Sequence, residues 1–385
     1  MGETAYFDNA ATTFPKPEEV YDFADRFYRT RGGNAGRGNN TLAAAAKGVS
    51  LDAKNNLKHL YDCPSRKVVF TPSATDALNR IILGLGLSRG DTVYITPFEH
   101  NAVTRPLNHL VTKVGVELEA LPFDRDSLLP DFDKIESCFA AKRPAAVIMT
   151  HASNVCGAVV PVLDIARLAK MYDATVVIDM SQTCGLLELD LSTSAVDFAV
   201  FAGHKTLYGP FGVGGFMCLD SSHLDPVFFG GNGINSIEQE MPSEIVSMSE
   251  IASQNAYAIA GLKASTEWIA SKGMKTIRQK ESIAMDTLLS ILRNYRFIHV
   301  IRDEMACERV GVVSAEFDGY SPDEIEMVLG NAGVAVRSGL HCAPYAHDFL
   351  GTLPAGTVRF SVNAFTNEED FRALDDALAM IEEEG

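Results

Sequence analysis

Lys205 stands where a short apolar segment of the sequence ends. Residues 198–202 are all apolar, as in one buried strand, and Gly203, His204 and Lys205 follow directly. In open α/β sheets ligands bind at the carboxyl ends of the strands, so this amine is placed to form a covalent bond with a carbonyl compound. A single lysine at a strand end is more often an ordinary surface charge. The chemical interpretation of Lys205 therefore depends on its predicted neighbours.

An acidic residue follows the apolar segment 176–178 in the same way. Asp179 occupies that end, and the amide of Gln182 comes three residues later. A carboxylate at a buried strand end requires a cationic partner, which the protonated ring nitrogen of a cofactor would supply. A helix cap or an ion pair with an arginine would also satisfy Asp179, and the pattern leaves these alternatives open.

The turn at 71–76 (Thr-Pro-Ser-Ala-Thr-Asp) joins a predicted strand to a predicted helix. Backbone N–H groups in this turn would be free to bind an anion such as a phosphate at the positive end of the helix dipole. An ordinary helix N-cap has the same composition. Together with Asp179 and Lys205, this turn provides what pyridoxal 5'-phosphate requires: an anion anchor, a partner for the ring nitrogen and an amine.

Cys342 has a setting that the other cysteines lack. It lies beside His341 and shortly after Arg337, in a segment bounded by Gly339 and Pro344. We expect the thiol to be exposed, and nearby cationic groups favour its thiolate. The alternative is an inert loop cysteine.

His100 and Arg359 are further candidate site residues when they are considered together with Lys205, Asp179 and Cys342. His100 lies in the polar segment 97–101, and Arg359 is a cation within the otherwise largely apolar strand predicted at 357–362. Taken alone, His100 would be a core or loop histidine and Arg359 a surface charge. A cation among apolar residues requires an anion, which favours a binding role for Arg359.

The elements that must position these residues alternate between strands and helices. This alternation is typical of a mostly parallel sheet covered on both faces, and it predicts an α/β large domain. We expect residues 1–15 to pack on the small domain, 16–262 to form the large domain and 263–385 to form a smaller α+β domain. The predicted strands of the large domain are 67–71, 91–96, 145–150, 175–179, 198–202 and 212–219, and its helices include 75–87 and 163–172. A long helical region is predicted at 253–292, and 230–249 is expected to be a functional loop or a subunit contact.

The composition disfavours several classes of partner. The 33 basic and 50 acidic residues give a net charge of -17, which disfavours nucleic acid and anionic membranes. No apolar run approaches the roughly 20 residues of a spanning helix, and no basic and apolar leader opens the chain, so we expect a cytoplasmic protein. The seven cysteines form no Cys-x-x-Cys pair. Neither a disulfide framework nor a metal site is indicated.

Three motifs resemble those of a known family. They are Asp-Asn-Ala-Ala-Thr-Thr at 8–13, Ser-Asn-x-x-Gly at 153–157 and Gly-His-Lys at 203–205. The sequence resembles aminotransferases of class V over most of its length, and among them the cysteine desulfurases. The resemblance implies a fold-type I pyridoxal phosphate enzyme, with a large domain built on a mostly parallel mixed sheet and a smaller α+β C-terminal domain.

The resemblance also implies roles for individual residues. The catalytic residues would be Lys205, which holds the cofactor covalently, His100, which stacks on the ring and relays protons, and Cys342, the nucleophile that takes up sulfur. The residues that bind the cofactor would be Ala74, Thr75, His100, Asp179, Gln182, His204, Lys205 and Ser236, and those that bind substrate would be Asn154, Arg337 and Arg359. Ser236 lies in a segment that family members lend to the neighbouring subunit, which implies a homodimer.

The implied reaction converts L-cysteine to L-alanine and leaves the sulfur on Cys342 as a persulfide for an acceptor protein. The short loop around Cys342 resembles the SUF-type (group II) arrangement. Selenocysteine lyase, C–S lyase and aminotransferase are alternatives within the superfamily, and a non-catalytic scaffold that keeps the fold without turnover is an alternative of a different functional class.

The sequence departs from the family pattern at four places. Ala202 stands where many relatives have a serine that contacts the phosphate, and one extra residue separates Lys205 from Tyr208. The segments 252–255 and 31–41 also differ from the family pattern. These departures bear on substrate preference more than on the cofactor.

Overall fold

The computed structural model describes residues 4–35, 40–231, 233 and 237–384. Thirteen strands are assigned within these ranges: β1 Ala5–Tyr6, β2 Lys67–Thr71, β3 Thr92–Ile95, β4 Glu117–Ala120, β5 Pro144–Thr150, β6 Thr175–Asp179, β7 Phe198–Ala202, β8 Gly214–Cys218, β9 Ile298–Val300, β10 Val312–Phe317, β11 Val334–Ala335, β12 Arg337–Gly339 and β13 Thr357–Ser361. The helices assigned there are α1 Glu18–Arg31, α2 Thr41–Leu60, α3 Ala74–Gly84, α4 Asn101–Lys113, α5 Phe132–Ala141, α6 Val162–Lys170, α7 Ile245–Ser249, α8 Ala256–Lys272, α9 Met274–Asn294, α10 Pro322–Asn331, α11 Pro344–Leu350 and α12 Glu368–Glu384.

The larger sheet has seven strands in the order β2-β8-β7-β6-β5-β3-β4. Five neighbouring strands, β7, β6, β5, β3 and β4, run parallel to one another. Strand β8 is antiparallel to both of its neighbours, β2 and β7. Residues of β6 alternate between two apolar clusters: Val176 and Ile178 belong to one and Val177 to the other. Both faces of the sheet are therefore buried, which explains why its central strands are continuous apolar runs. The predicted mostly parallel α/β architecture is confirmed.

The smaller sheet has four antiparallel strands in the order β12-β13-β10-β9. Its apolar face packs in a separate cluster that includes Phe7, Leu288, Val313 and Phe360. Helices α9, α10 and α12 contribute to the same cluster. Arg337 of β12 and Arg359 of β13 lie opposite each other in this sheet, which brings two cations to neighbouring positions.

The N-terminal segment contacts both parts of the molecule. Strand β1 pairs in parallel with β11, and Asp8 forms a bridge with Ser361. The hydroxyl of Thr12 donates a hydrogen bond to the His204 carbonyl at 3.0 Å, so the same segment also reaches the loop after β7. The predicted domain limits stay a prediction, and the limit at residue 262 falls inside the continuous helix α8.

Some observed elements differ from the predicted ones. The helical region predicted at 253–292 is two helices, α8 and α9, separated at Gly273, whose φ of +81° is accessible to glycine. The edge strand β4 and the helices α4 and α5 were not predicted. Among the described residues, no helix is both long and apolar enough to cross a membrane.

Candidate active site

A cavity lies where the carboxyl ends of β5, β6 and β7 meet the N-termini of α3 and α4. Its empty volume is about 510 Å³, counting space open to solvent. Adjacent parallel strands deliver their terminal residues to one edge of the sheet, which is where α/β proteins bind ligands. The lining residues are Ser73, Ala74, Thr75, Leu78, His100, Ala102, Thr150, Asn154, Asp179, Ser181, Gln182, Ala202, His204 and Lys205.

Lys205 enters this cavity from the loop after β7. The loop is fixed by backbone hydrogen bonds from Tyr208 to the Lys205 carbonyl, 2.7 Å, and from Gly209 to the Gly203 carbonyl, 2.7 Å. Within the described part of the chain, no hydrogen bond or ion pair of the Lys205 amine is found. Burial lowers the pKa of Lys205 to about 8, and the charge of Asp179 opposes that shift. A larger fraction of this amine is neutral near pH 7 than for an ordinary lysine.

Asp179 is held at the end of β6 by the residue two positions later. Its Oδ1 accepts hydrogen bonds from the Ser181 backbone N–H, 2.9 Å, and from the Ser181 hydroxyl, 2.5 Å. The side chain is buried. No ion pair to Asp179 is found in the described ranges, so its carboxylate is oriented but lacks a protein cation within contact. Such a carboxylate suits a protonated ring nitrogen of a bound group.

Gln182 is already engaged by the N-terminal segment. Its Nε2 donates a hydrogen bond to the Ala10 carbonyl at 3.0 Å. One donor of the amide therefore holds the 8–13 segment, and Gln182 is among the residues that line the cavity.

The opposite end of the cavity is suited to an anion. Ser73 caps α3 by accepting a hydrogen bond from Asp76 N–H, 3.1 Å, and the next residues expose the positive helix end. A Cβ at Gly214 would lie 2.6 Å from the Ala74 nitrogen, so only glycine allows β8 to approach this turn. The Nδ1 atom of His204 is buried and has no hydrogen-bond partner. An anion bound here would provide the missing partner.

His204 is held by packing and by its backbone. Its ring stacks on Phe211 at a centroid distance of 4.7 Å. The Lys16 amine donates to its carbonyl at 2.6 Å. Burial lowers the pKa of His204 to about 3, and the charges of Lys205 and Lys16 act in the same direction. The ring is therefore neutral at pH 7 before any anion binds.

His100 caps α4 and is held in one tautomer. Its Nδ1 accepts a hydrogen bond from the Ala102 backbone N–H at 3.0 Å, so the neutral ring carries its proton on Nε2. Burial, followed by the charge of Lys205, lowers the pKa of His100 to about 4. The neutral ring borders the cavity and can donate the proton on Nε2, whereas its basic nitrogen, Nδ1, is occupied by the helix cap.

Glu99 lies beneath the cavity and was not singled out from the sequence. Its Oε1 accepts hydrogen bonds from the Thr96 hydroxyl, 2.6 Å, and from the Thr150 backbone N–H, 2.7 Å. Its Oε2 is buried without a partner. Burial raises the pKa of Glu99 to about 8. A carboxyl that is largely protonated at pH 7 avoids placing a second negative charge beside Asp179.

Cys342 lies on a strained turn at the mouth of the cavity. His341 and Cys342 both have positive φ, 47° and 57°, a conformation that is uncommon outside glycine. The turn is fixed by the Asn101 backbone N–H, which donates to the Cys342 carbonyl at 2.7 Å, and by Asn154 Nδ2, which donates to the His341 carbonyl at 2.8 Å. The thiol is exposed, and Nη2 of Arg337 lies 3.8 Å from its sulfur. This contact suits a thiolate.

Arg359 is buried at the base of the site and bridges three parts of the chain. Its Nη1 donates to the Asn154 carbonyl at 3.0 Å, and its Nη2 donates to Oδ1 of Asp8 at 2.7 Å. Its side chain is only 1% exposed, and its Nε has no hydrogen-bond partner. Burial lowers the pKa of Arg359, whereas Asp8 opposes the shift. Asp8 received no role from the sequence, although a buried arginine signals that some anion must lie nearby.

Comparison with known proteins identifies the family. The model of the family described as aminotransferase class-V matches residues 5–374. The chain belongs to this family.

The relatives and solved structures agree with that assignment. A probable cysteine desulfurase of Aeropyrum pernix is 31% identical over 98% of this chain and 94% of its own length. A probable cysteine desulfurase of Halalkalibacterium halodurans is 29% identical over 96% of this chain and 91% of its own length. The apo structure of a cysteine desulfurase from Thermococcus onnurineus superposes with a TM-score of 0.88 at 26% identity, covering 98% of this chain and 94% of that one. The resemblance predicted from the motifs is confirmed.

As a class-V aminotransferase family member, the chain brings most of the predicted site residues together. The following line the cavity: Ala74, Thr75, His100, Asn154, Asp179, Gln182, His204 and Lys205. A neighbouring open groove runs from Thr75 and His100 to Cys342. Arg337 contacts the Cys342 sulfur, and Arg359 contacts Asn154. Ser236 lies outside the described residues, and the individual roles stay predictions.

Two departures from the family pattern are visible at the site. Ala202 borders the cavity with a methyl group, so this position supplies no hydroxyl to an anion. Tyr208, at the end of the segment with the extra residue, has a φ of 56°. Its ring packs between Trp268 and Phe365, at centroid distances of 5.1 and 5.8 Å.

Proposed function

We propose that this protein is a pyridoxal phosphate-dependent cysteine desulfurase, which converts L-cysteine to L-alanine and retains the sulfur on Cys342. The observation that carries the proposal is the position of Cys342. Its exposed thiol lies beside Arg337, and its backbone is fastened to Asn101, the residue after His100. An inert loop cysteine would have no reason to be held in a strained conformation at the mouth of this cavity.

The cavity residues fit pyridoxal 5'-phosphate. The amine of Lys205 would hold its aldehyde carbon, Asp179 its ring nitrogen and His100 its ring face. The start of α3 at Ala74 and Thr75, with His204, would hold its phosphate. The unpaired Nδ1 of His204 and the absence of a cation on Asp179 within the described residues support this fit. When bound, the cofactor withdraws electrons from the α-carbon of an amino acid.

The residues of the chain would position substrate and move protons. Arg359, with Asn154 and Arg337, would bind the carboxylate of L-cysteine. Lys205 would remove and return the α-proton, a task that its lowered pKa of about 8 favours near neutral pH. The Nε2 proton of His100 would be available to the substrate, since Nδ1 is occupied by the cap of α4.

Sulfur transfer would occur at Cys342. Its thiolate attacks the substrate sulfur, a sulfur–sulfur bond forms and the substrate carbon–sulfur bond breaks. The electron pair of the broken bond stays on the carbon, which takes a proton and becomes the methyl group of L-alanine. Arg337 would stabilise the thiolate before attack. An acceptor protein would then remove the persulfide sulfur, and the short turn before α11 supports a SUF-type (group II) arrangement.

The proposal includes a homodimer in the cytoplasm. Large apolar side chains are exposed near the site: Phe211, which stacks on His204, is 64% exposed, and Phe228, which lies over the Arg80 guanidinium of α3, is 52% exposed. Exposed apolar patches of this kind support a protein contact.

The test is turnover of L-cysteine by the purified protein, followed as alanine and sulfide. We expect alanine formation, and we expect Cys342→Ala to retain the cofactor absorbance but lose most turnover. The matched control is Cys307→Ala, a partly buried cysteine outside the cavity. Unchanged turnover in Cys342→Ala would overturn the mechanism, and activity of that variant on selenocysteine alone would favour a selenocysteine lyase.

A further inference from the structure

The ion pair between Asp8 and Arg359 occupies the group to which the proposed function assigns the substrate carboxylate. Nη2 of Arg359 lies 2.7 Å from Oδ1 of Asp8, and Nη1 is bonded to the Asn154 carbonyl. Both terminal nitrogens of the guanidinium therefore already have a partner. Each of these nitrogens keeps a second N–H, and Nε has no partner, but a carboxylate bound at Nη2 would lie beside the carboxylate of Asp8 and compete with it for the same positive charge.

The two members of this pair differ in their exposure to solvent. The side chain of Arg359 is 1% exposed, whereas that of Asp8 is 20% exposed. An arginine buried to this degree is destabilising unless an anion compensates its charge, so an empty site requires a resident counter-ion. Asp8 can act as this counter-ion. Because its carboxylate is partly exposed, it can also rotate into solvent when another anion binds to Arg359.

The backbone around Asp8 allows its side chain to move independently. The segment is held by Asn9, whose Nδ2 donates to the Ser361 carbonyl at 2.8 Å, and by Ala10, whose N–H bonds to the Ser361 hydroxyl at 2.8 Å. The Tyr6 hydroxyl donates to the Asp8 carbonyl at 3.2 Å. None of these contacts uses the Asp8 carboxylate. Rotation of the carboxylate away from Arg359 would leave the segment in place.

We propose that Asp8 is a resident counter-ion of Arg359 that the substrate carboxylate displaces, so that Asp8 sets the affinity of the site for carboxylates. It is a positioning residue, since it acts through Arg359. The inference rests on the proposed function, because it takes Arg359 as the group that binds the substrate carboxylate. It predicts that neutralising Asp8 tightens the binding of any small carboxylate at this position.

The test compares wild-type protein with Asp8→Asn as purified. Asparagine keeps an oxygen that can accept from Nη2, so the fold is expected to persist. Thermal unfolding is followed against sodium propionate, with sodium chloride holding the ionic strength constant and propionamide as the uncharged probe. We expect half-maximal stabilisation of Asp8→Asn at a propionate concentration about five-fold or more below that of wild type. Propionamide is expected to have no effect on either protein.

Two matched controls separate charge from structure. Asp25 and Arg29 form an exposed ion pair on the surface. We expect Asp25→Asn to reach half-maximal stabilisation at the same propionate concentration as wild type. Tyr6→Phe removes the hydroxyl that holds the Asp8 carbonyl but keeps the carboxylate, and it should also behave as wild type. The proposal is overturned if half-maximal stabilisation of Asp8→Asn requires as much propionate as wild type, or more. It is also overturned if the half-maximal propionate concentration of Tyr6→Phe falls as far as that of Asp8→Asn.

Turnover gives the second readout. In Asp8→Asn we expect the KM for L-cysteine to fall by about the same factor as the half-maximal propionate concentration. No matching rise in kcat is expected, since the Asp8–Arg359 pair is not part of the chemical step. An unchanged KM together with unchanged propionate binding would show that Asp8 stays on Arg359 in the complex. If wild-type protein formed no alanine from L-cysteine, the proposed function would fail, while the propionate result would still decide the role of Asp8.

Discussion

The backbone N–H of Asn101 donates a hydrogen bond to the backbone carbonyl of Cys342 at 2.7 Å. Asn101 is the first residue of α4, and His100 is the cap of that helix. His100, which borders the cavity, and Cys342, which presents the thiol, are therefore both fixed to the N-terminal end of α4. A main-chain contact therefore fixes the backbone of Cys342 relative to the start of α4, and most side-chain substitutions would leave that contact in place.

Asn101→Pro would remove this contact selectively. Proline is well tolerated at the first position of a helix, and His100 already has the extended conformation that proline requires of the residue before it. We expect a folded protein with normal cofactor absorbance and a kcat reduced about ten-fold, because the Cys342 turn is no longer held. Asn101→Ala keeps the N–H and should retain wild-type kcat. Equal rates in the two variants would show that the contact does not position the thiol.

Asp179→Asn tests the proposed pairing of Asp179 with the ring nitrogen of pyridoxal 5'-phosphate. The asparagine oxygen can still accept from Ser181, so the end of β6 should keep its shape. We expect turnover to fall by more than about a hundred-fold, since a neutral amide cannot pair with a protonated ring nitrogen. Asp190 makes the same local pattern with Ser192 on the surface, at 3.0 Å and 2.6 Å, so Asp190→Asn is the matched control. A comparable loss in both variants would indicate a local structural effect.

The capture of pyridoxal 5'-phosphate by Lys205 should follow the protonation of its amine. Only the neutral amine attacks an aldehyde, and burial lowers the pKa of Lys205 to about 8. When the cofactor is added to cofactor-free protein, the rate of binding should therefore rise with pH through about 8 and level off above it. Stopped-flow absorbance measures this rate. A midpoint near the ordinary value of 10.5 would contradict the lowered pKa.

The sequence predicted the strands that hold the site more accurately than the elements around them. The predicted ranges of β2, β6 and β7 agree with the structure at both ends, since buried strands are continuous apolar runs. Strand β4 was missed because it is an edge strand with Glu117 and Glu119 in its sequence. Helix α4 was missed because Pro106 interrupts its pattern, although the tertiary contacts of Leu107 and Val103 keep it helical.

The candidate site was predictable only where local sequence carries the signal. Asp179 ends one apolar strand and Lys205 follows another, so the local sequence predicts that both lie at the carboxyl edge of the sheet. The pair between Asp8 and Arg359 joins positions 351 residues apart, and Asn154 contacts His341 across 187 residues. No local pattern encodes such contacts. They arise because the N-terminal segment and the smaller sheet are brought against the large sheet by packing.

Glu99→Gln tests the buried carboxyl beneath the cavity. The pKa of Glu99 is raised from 4.5 to about 8, so its contribution to stability is fully present below pH 4.5 and is lost as the pH rises through about 8. Glutamine does not titrate and can accept the same hydrogen bonds from Thr96 and Thr150. We therefore expect the free energy of unfolding of Glu99→Gln, relative to wild type, to increase by more than about 1 kcal/mol between pH 6 and pH 9.

The matched control for this pH dependence is an exposed carboxylate. Hydrogen bonds from Ser321 lower the pKa of Glu324, so its titration lies below pH 6 and Glu324→Gln should differ from wild type by a constant amount between pH 6 and pH 9. Urea unfolding at each pH measures both differences. A constant difference for Glu99→Gln as well would mean that the carboxyl is already ionised at pH 6. Asp179 would then lie beside a second negative charge, and a protonated ring nitrogen would have to balance both.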